Sequence, residues 1–189
     1  MPTNLALKEW AVIVAALDKG EQIILLRKGG IADKGFDIKN QDFLFYPTIF
    51  HEMEKVVDGR YHLLLERVAA ATTTDTITIS NWASVDEVIP TKNLEALLHI
   101  SDHYVYTPEY VKDRFDWRIA TPMTLLFVRV YRLPEPRVVH VISKYRGCKS
   151  WVDLDEKVEL EGSEPVLSQS QFEMKKAEIK SKLITTVMR

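Results

Sequence analysis

A single cysteine, Cys148, stands in the 189 residues, which excludes an internal disulfide and an all-thiolate zinc site. Glycine and proline are few, 7 and 8, so collagen-like and low-complexity classes are excluded as well. Neither charge sign is in excess. The 25 Lys and Arg face 27 Asp and Glu, for a net charge of −2, which excludes a uniformly basic nucleic-acid coat but leaves room for a local basic patch. No apolar run approaches the ~20 residues of a membrane-spanning helix. The longest, Trp10 to Leu17, is bounded by Lys8 and Glu9 before and Asp18 and Lys19 after, the wrong flanks for a signal peptide. With a lone thiol, no leader pattern and no membrane span, the expected location is the reducing cytoplasm. Phosphate-loop, dinucleotide-binding and nucleophile-elbow fingerprints are also missing.

What is present is the apolar content of a globular chain, 46% hydrophobic and 28% charged, in a length that fits one domain or one domain with an appendage. Leu7, Trp10, Val14 and Leu17 fall three or four apart, which predicts a helix capped by Thr3 or Asn4 and ended by Gly20; a strand also fits the same run. Ile23–Leu26 and Phe43–Tyr46 are short strand candidates, the second ended by Pro47. Thr48 then reads as the N-cap of a short helix. Tyr61 to Ala69 and Asp75 to Val85 read as strands, the second by its alternation of Ile77 and Ile79 with Thr76, Thr78 and Ser80. Leu94, Leu97 and Leu98 mark a helix, and Thr107-Pro108-Glu109 is a capped helix start. Leu125 to Leu133 has the apolarity of a central strand, and Val138–Ile142 reads as a further strand that pairs with a neighbour.

Between Asp153 and Glu164 six acids meet one lysine, which reads as a solvated linker. Ser168 and Gln171 form a capping-box pattern before a final helix carrying Phe172, Ile179 and Leu183. Residues 1–154 are therefore expected to form one α+β core domain, 155–167 an acidic linker, and 168–189 a C-terminal amphipathic helix able to dock a protein partner.

Two stretches carry candidate anion chemistry. Arg27 and Lys28 lead into Gly29-Gly30, where backbone amides can approach a ligand. If the helix begun by Thr48 lies nearby, its first amides and His51 would complete a hollow for a phosphate or carboxylate. The alternative is a β-turn with surface cations and an ordinary helix cap. Lys144-Tyr145-Arg146-Gly147-Cys148-Lys149-Ser150-Trp151 interleaves cations with aromatics. Arg146 and Lys149 can neutralise phosphates while Tyr145 or Trp151 stacks on a base; equally, Trp151 packs inward and the lysines are solvated. Arg129 shares a strand face with Phe127 and Tyr131, and must be paired or stacked because an isolated buried charge is costly. It either lines a pocket or holds an acid such as Glu66.

The five histidines lack metal-ligand spacing; His99 and His103 are four apart but short of a zinc set. Asp37-Ile38-Lys39 and Glu173-Met174-Lys175 match the acid-x-Lys of metal-dependent nucleases by letters alone. No metal or cofactor is expected.

Several separated landmarks line up in order: Leu7-Lys8-Glu9-Trp10, Gly20-Glu21-Gln22, Leu26-Arg27-Lys28-Gly29-Gly30-Ile31, Phe45-Tyr46-Pro47-Thr48 with His51, Arg129-Val130-Tyr131-Arg132-Leu133, and Tyr145 to Val152. Together they resemble the bacterial domain-of-unknown-function family 1802 over almost the whole chain, a family that implies no established substrate. Gly20 to Lys28 is also similar to the opening of ASCH domains. That resemblance implies a PUA-like barrel, RNA binding or amidohydrolase activity on modified nucleosides, and Glu21, Arg27 and Lys28 near a ligand cleft. Lys8 and Glu9 are by type the candidates for a general base.

The combined expectation is an α+β fold with a mixed, partly barrel-like (PUA/ASCH-like) sheet, surrounding helices and a C-terminal amphipathic helix. The leading function is a binding module for RNA, DNA or a nucleotide. The alternatives are a small hydrolase acting on nucleosides or nucleic acid, and a protein-interaction subunit docking through its last helix.

Overall fold

The computed structural model describes residues 2–28, 41–49, 53–117, 121–147 and 149–185. Gly29, Gly30, His51 and Cys148 lie outside the described residues.

The N-terminal apolar segment divides in two. Strand β1 is Thr3–Trp10, and helix α1, Ala11–Asp18, follows it without a loop. The helix expected through Leu7 and Trp10 is thereby corrected. Ala6 and Leu7 enter different cores, a period of two that the three-and-four spacing of the larger apolar residues disguised. Gly20 ends α1 as expected, at φ 66° with its N–H donating to Leu17 O at 2.9 Å.

Strands β2, Ile24–Lys28, and β3, Asp42–Thr48, come next. Thr48 is the last residue of β3, in register with Trp10 of β1, and its hydroxyl donates to Glu9 O at 3.1 Å. Ile49, which follows it, is in no helix, so the helix expected from Thr48 does not start there. Helix α2, His62–Ala71, replaces the strand expected over Tyr61–Ala69. Leu, Ala, Glu and Arg dominate that stretch and favour a helix, with Tyr61 and Leu65 buried four apart and Leu63 exposed.

Strands β4, Thr76–Thr91, and β5, Met123–His140, form a long antiparallel ribbon. The two strands expected at 125–133 and 138–142 are one. β5 carries Pro134 and Pro136 through a register shift, where the pairing jumps from Asn81↔Arg132 to Ile79↔Arg137, a place that tolerates missing N–H donors. Helices α3, Leu94–His99, and α4, Pro108–Asp116, lie between them in sequence. α4 starts as its cap predicts, with Thr107 Oγ1 accepting from Tyr110 N.

Strand β6 is Trp151–Val158, β7 is Glu164–Pro165 and helix α5 is Gln169–Thr185. Part of the stretch expected to be an acidic linker is thus sheet: Val152, Leu154 and Val158 are buried, while Asp153, Asp155 and Glu156 face outward. The acids mark the outer face of a strand.

The fold is α+β with a seven-stranded mixed sheet in the order β2-β5-β4-β3-β1-β6, β7 pairing with β5. β1 and β3 are parallel and the other pairs antiparallel. Successive strand residues feed two cores. Leu7, Phe43 and Phe45 join residues from all five helices in the first. Ala6, Leu44, Tyr46, Ile79, Leu133, Val152 and Leu154 make the second with other strand and turn residues. Among the described residues no α-helix contributes a buried residue to that second core; Tyr145, from the short 3-10 turn Ser143–Tyr145, does. The sheet is not closed. β2 and β1, four places apart in the strand order, meet through side chains: Arg27 Nη2 donates to Lys8 O at 2.9 Å and reaches Glu9 Oε2 at 2.7 Å. That side-chain junction of β2 with the end of β1 is the seam of the sheet.

α5 closes the first core. Ser168 N donates to Gln171 Oε1 and Gln171 N to Ser168 Oγ, the reciprocal cap read from the sequence. Phe172 and Ile179 are fully buried. Lys176 pairs with Asp86 and Glu87, Lys180 with Glu87, and Lys182 with Asp102. Phe172 and Ile179, two apolar anchors of this helix, pack on its own domain, while Met174 and Ile184 are exposed.

Candidate functional site

A cavity of about 410 Å³ opens in the seam. The end of β1 supplies Glu9 and Trp10, β2 supplies Leu26, Arg27 and Lys28, and α4 supplies Tyr110, Val111 and Arg114; Val56, Tyr106, Met123 and Ser150 complete the wall.

Each wall is fixed by local chemistry. Glu9 lies where β1 turns into α1, and its Oε1 accepts from Trp10 N at 2.9 Å. The Tyr106 segment is held from two sides: Val105 N donates to Gln22 Oε1 and Thr107 N to Val56 O, both at 2.9 Å. Lys28 is buried, donates to Phe115 O and lies 5.0 Å from that ring centroid. It thereby places a cation at the C-terminal end of α4, where the helix dipole favours one. Arg114 lies over the Trp117 ring at 4.7 Å. Lys8 N donates to Ser150 O at 2.8 Å, which brings the chain entering β6 to the rim.

Charge inside the cavity is unusual. Glu9 is 4% exposed, and burial pushes its carboxyl above the ordinary value, against the Arg27 guanidinium and the Trp10 N–H, which pull it down. Burial also lowers the Lys28 ammonium, opposed by Asp116 and assisted by Arg114. Arg27 Nε is buried with no acceptor among the described residues. Trp10, Tyr106 and Tyr110 form an aromatic cluster, with centroids 5.2 Å apart for Trp10–Tyr106, 5.3 Å for Trp10–Tyr110 and 4.9 Å for the stacked tyrosines. Burial, with Glu9 nearby, keeps the Tyr106 hydroxyl well above its ordinary pKa, and burial raises that of Tyr110. Both rings stay neutral at physiological pH.

The structure sorts the candidate residues. Arg27 and Lys28 line the cavity, and Thr48 is joined to it through the Glu9 backbone, so these stretches do meet. Gly29, Gly30 and His51 lie outside the described residues. Arg129 lies elsewhere: it donates to Gln169 Oε1 and lies 5.3 Å from the Phe172 ring centroid and 5.9 Å from that of Tyr131. Its burial is answered by stacking and by α5, not by Glu66. Tyr145 is buried in the second core, its hydroxyl accepting from Asp155 N. Trp151 packs edge-on against Phe43. Arg146 and Lys149 are exposed and do not line the cavity. Of the two candidate bases, Glu9 is in the wall, whereas Lys8, one residue away and so on the opposite strand face, donates to Gly147 O and lies over Tyr46. Glu21 is exposed and pairs with Lys19.

Sequence reading missed Trp10, Tyr106, Arg114 and Ser150 as wall residues. The Tyr110–Arg114 spacing of four on a capped helix was the one local signal that could have found part of the site.

The sequence profile of the family described as Domain of unknown function (DUF1802) matches residues 6–178. The chain belongs to the DUF1802 family. The match begins within β1 and ends within α5, so the seam, the cavity and the docked helix are all inside the DUF1802 region. No curated protein matches this DUF1802 chain in sequence. Among solved structures it is similar to a variant of the ASCH protein ZmASCH from Zymomonas mobilis, with 10% identity and a TM-score of 0.44 over 95% of this chain and 99% of that one. No described helix is long and apolar enough to cross a membrane.

Proposed function

We propose that the seam cavity binds a nucleotide, free or as an unpaired residue of a single-stranded RNA or DNA. The observation that carries this reading is the gathering of Arg27, Lys28 and Arg114 beside the Trp10–Tyr106–Tyr110 aromatic cluster in one cavity wall. An anionic oxygen in the cavity would meet the charge of the Arg27 guanidinium. Lys28 and Arg114 add positive charge, and Trp10 or Tyr110 offers a ring face on which a base can stack. The volume lies within the usual ~300–1,000 Å³ of small-ligand sites and is too small for a duplex.

The test is a titration with nucleoside monophosphates and triphosphates and with short single-stranded RNA and DNA over a range of salt. Arg114→Ala and Tyr110→Ala are the informative variants, since neither removes the partner of Glu9. Binding should weaken as salt rises, and each variant should lose about tenfold or more in affinity, the range expected when one stacked or charge-assisted contact is removed. Absence of binding at low salt, or unchanged affinity in Arg114→Ala, would overturn the proposal.

A second reading is favoured by one feature: Glu9 is a buried carboxyl with an elevated pKa in the cavity wall, the property of a general acid or base. On that reading the cavity hydrolyses a nucleoside or nucleic-acid substrate. Glu9→Gln would then retain binding and lose turnover, measured by chromatographic detection of product. If the wild-type protein turns over no nucleoside or oligonucleotide that it binds, the hydrolase reading fails while the binding reading stands.

A further inference from the structure

Away from the cavity, the turn Ser101–His103 meets α5 in a cluster of unlike groups. His103 Nε2 lies 3.5 Å from Asp102 Oδ1 and 3.5 Å from Glu178 Oε1, and one ligand atom from each of the three residues falls within 4.8 Å of the others. Donor atoms around a tetrahedral zinc at about 2.1 Å stand about 3.4 Å apart. The two 3.5 Å separations are therefore close to the spacing of a bound set.

The cluster already holds a cation. Lys182 Nζ is 2.6 Å from Asp102 Oδ2, 2.9 Å from His103 Nε2 and 3.5 Å from Glu178 Oε1. An ammonium has donors and no acceptor, so His103 Nε2 must present its lone pair toward the centre of the cluster. That is the lone pair a metal ion uses. The scaffold on both sides is fixed. Arg60 Nη2 donates to Ser101 O at 3.0 Å, which braces the turn, while burial of Ile179 sets the rotation of α5 beside Glu178.

We infer that Asp102, His103 and Glu178 form a binding site for a divalent transition-metal ion, with Lys182 as a tethered competitor that the ion displaces. One imidazole nitrogen and two carboxylates suit Zn²⁺, Co²⁺ or Ni²⁺. They do not suit Mg²⁺ or Ca²⁺, which require six or more oxygen donors. Three protein ligands leave a fourth position for water. Because Glu178 lies on α5 and the other two ligands on the core, an ion here would fasten the C-terminal helix to the domain. On displacement, Lys182 moves to solvent on its flexible stem.

Metal-free full-length protein titrated with Zn²⁺ against a chromophoric chelator, and separately with Co²⁺ followed by its visible absorption, tests the inference. The wild type should bind one equivalent. Lys182→Met should bind at least tenfold tighter, because the competitor is gone, and the metal should raise its melting temperature by more than that of the wild type. His103→Ala should lose the site. Glu178→Gln, at an exposed position that leaves the core intact, should lose at least tenfold and provides the answer if His103→Ala does not fold. Mg²⁺ should not compete. No binding by Lys182→Met, or affinity unchanged by both His103→Ala and Glu178→Gln, would overturn the inference.

Discussion

Replacing Arg27 by Ala isolates the electrostatics of the seam. The guanidinium is 2.7 Å from Glu9 Oε2, and the two side chains are 18% and 4% exposed. Removing the cation leaves an unpaired buried carboxylate, a loss of about 3–5 kcal/mol when the carboxyl is ionised. Protonation relieves the penalty, so the loss depends on pH. The Glu9 pKa is already raised by burial even with Arg27 in place. A carboxyl whose folded pKa exceeds its unfolded value binds more protons in the folded state, so stability falls as pH rises from the unfolded value through the folded one. Arg27→Ala removes a lowering influence and pushes the folded pKa higher. Each further unit adds about 1.4 kcal/mol to the difference between acid and alkaline conditions. Urea unfolding at pH 5 and pH 8 should show Arg27→Ala markedly more destabilised at the higher pH. The double variant Glu9→Gln with Arg27→Ala should recover much of the loss and flatten the dependence. Equal destabilisation at both pH values, or no recovery in the double variant, would refute the reasoning.

Two further outcomes concern stability. Phe172→Ala removes a fully buried ring that docks α5 under Arg129, and should cost about 3–5 kcal/mol in urea unfolding. Gly20→Ala forces a side chain into φ 66°, with its Cβ 2.6 Å from Leu167 Cδ2. It should cost about 1–2 kcal/mol and, because Leu167 lies just before α5, should also increase protease cleavage near residue 167.

Much of the fold was readable because local chemistry agreed with the outcome. Thr107-Pro108-Glu109, the Ser168–Gln171 box, Gly20 and the alternation of Ile77 and Ile79 each fix their own element. Misreadings arose where a distant partner decided. Leu7 and Trp10 have helical spacing, yet β3 and β6 pair with that segment and hold it extended. Thr48 has the chemistry of a cap, yet it ends β3 in register with Trp10 of β1. The Tyr61–Ala69 stretch differs in kind, because its own leucines, Glu66, Arg67 and alanines favour the helix that forms there. At the site, Arg27 and Lys28 were legible as basic residues at a strand end. Tyr106 and Ser150 were not, because their convergence depends on the tertiary fold, and Arg114 offered only its spacing of four from Tyr110 on α4.

The pairing of β1 with β6 has a kinetic consequence. β1 is made first, but one of its flanks is completed by residues about 150 positions later: Leu7 opposite Trp151 and Thr3 opposite Val158. During synthesis that flank stays open until β6 has left the ribosome, a nonlocal arrangement of the kind that folds slowly and exposes an unpaired strand to aggregation. Truncation within or before β6 would therefore leave an interior strand unfinished as well as remove the chain end.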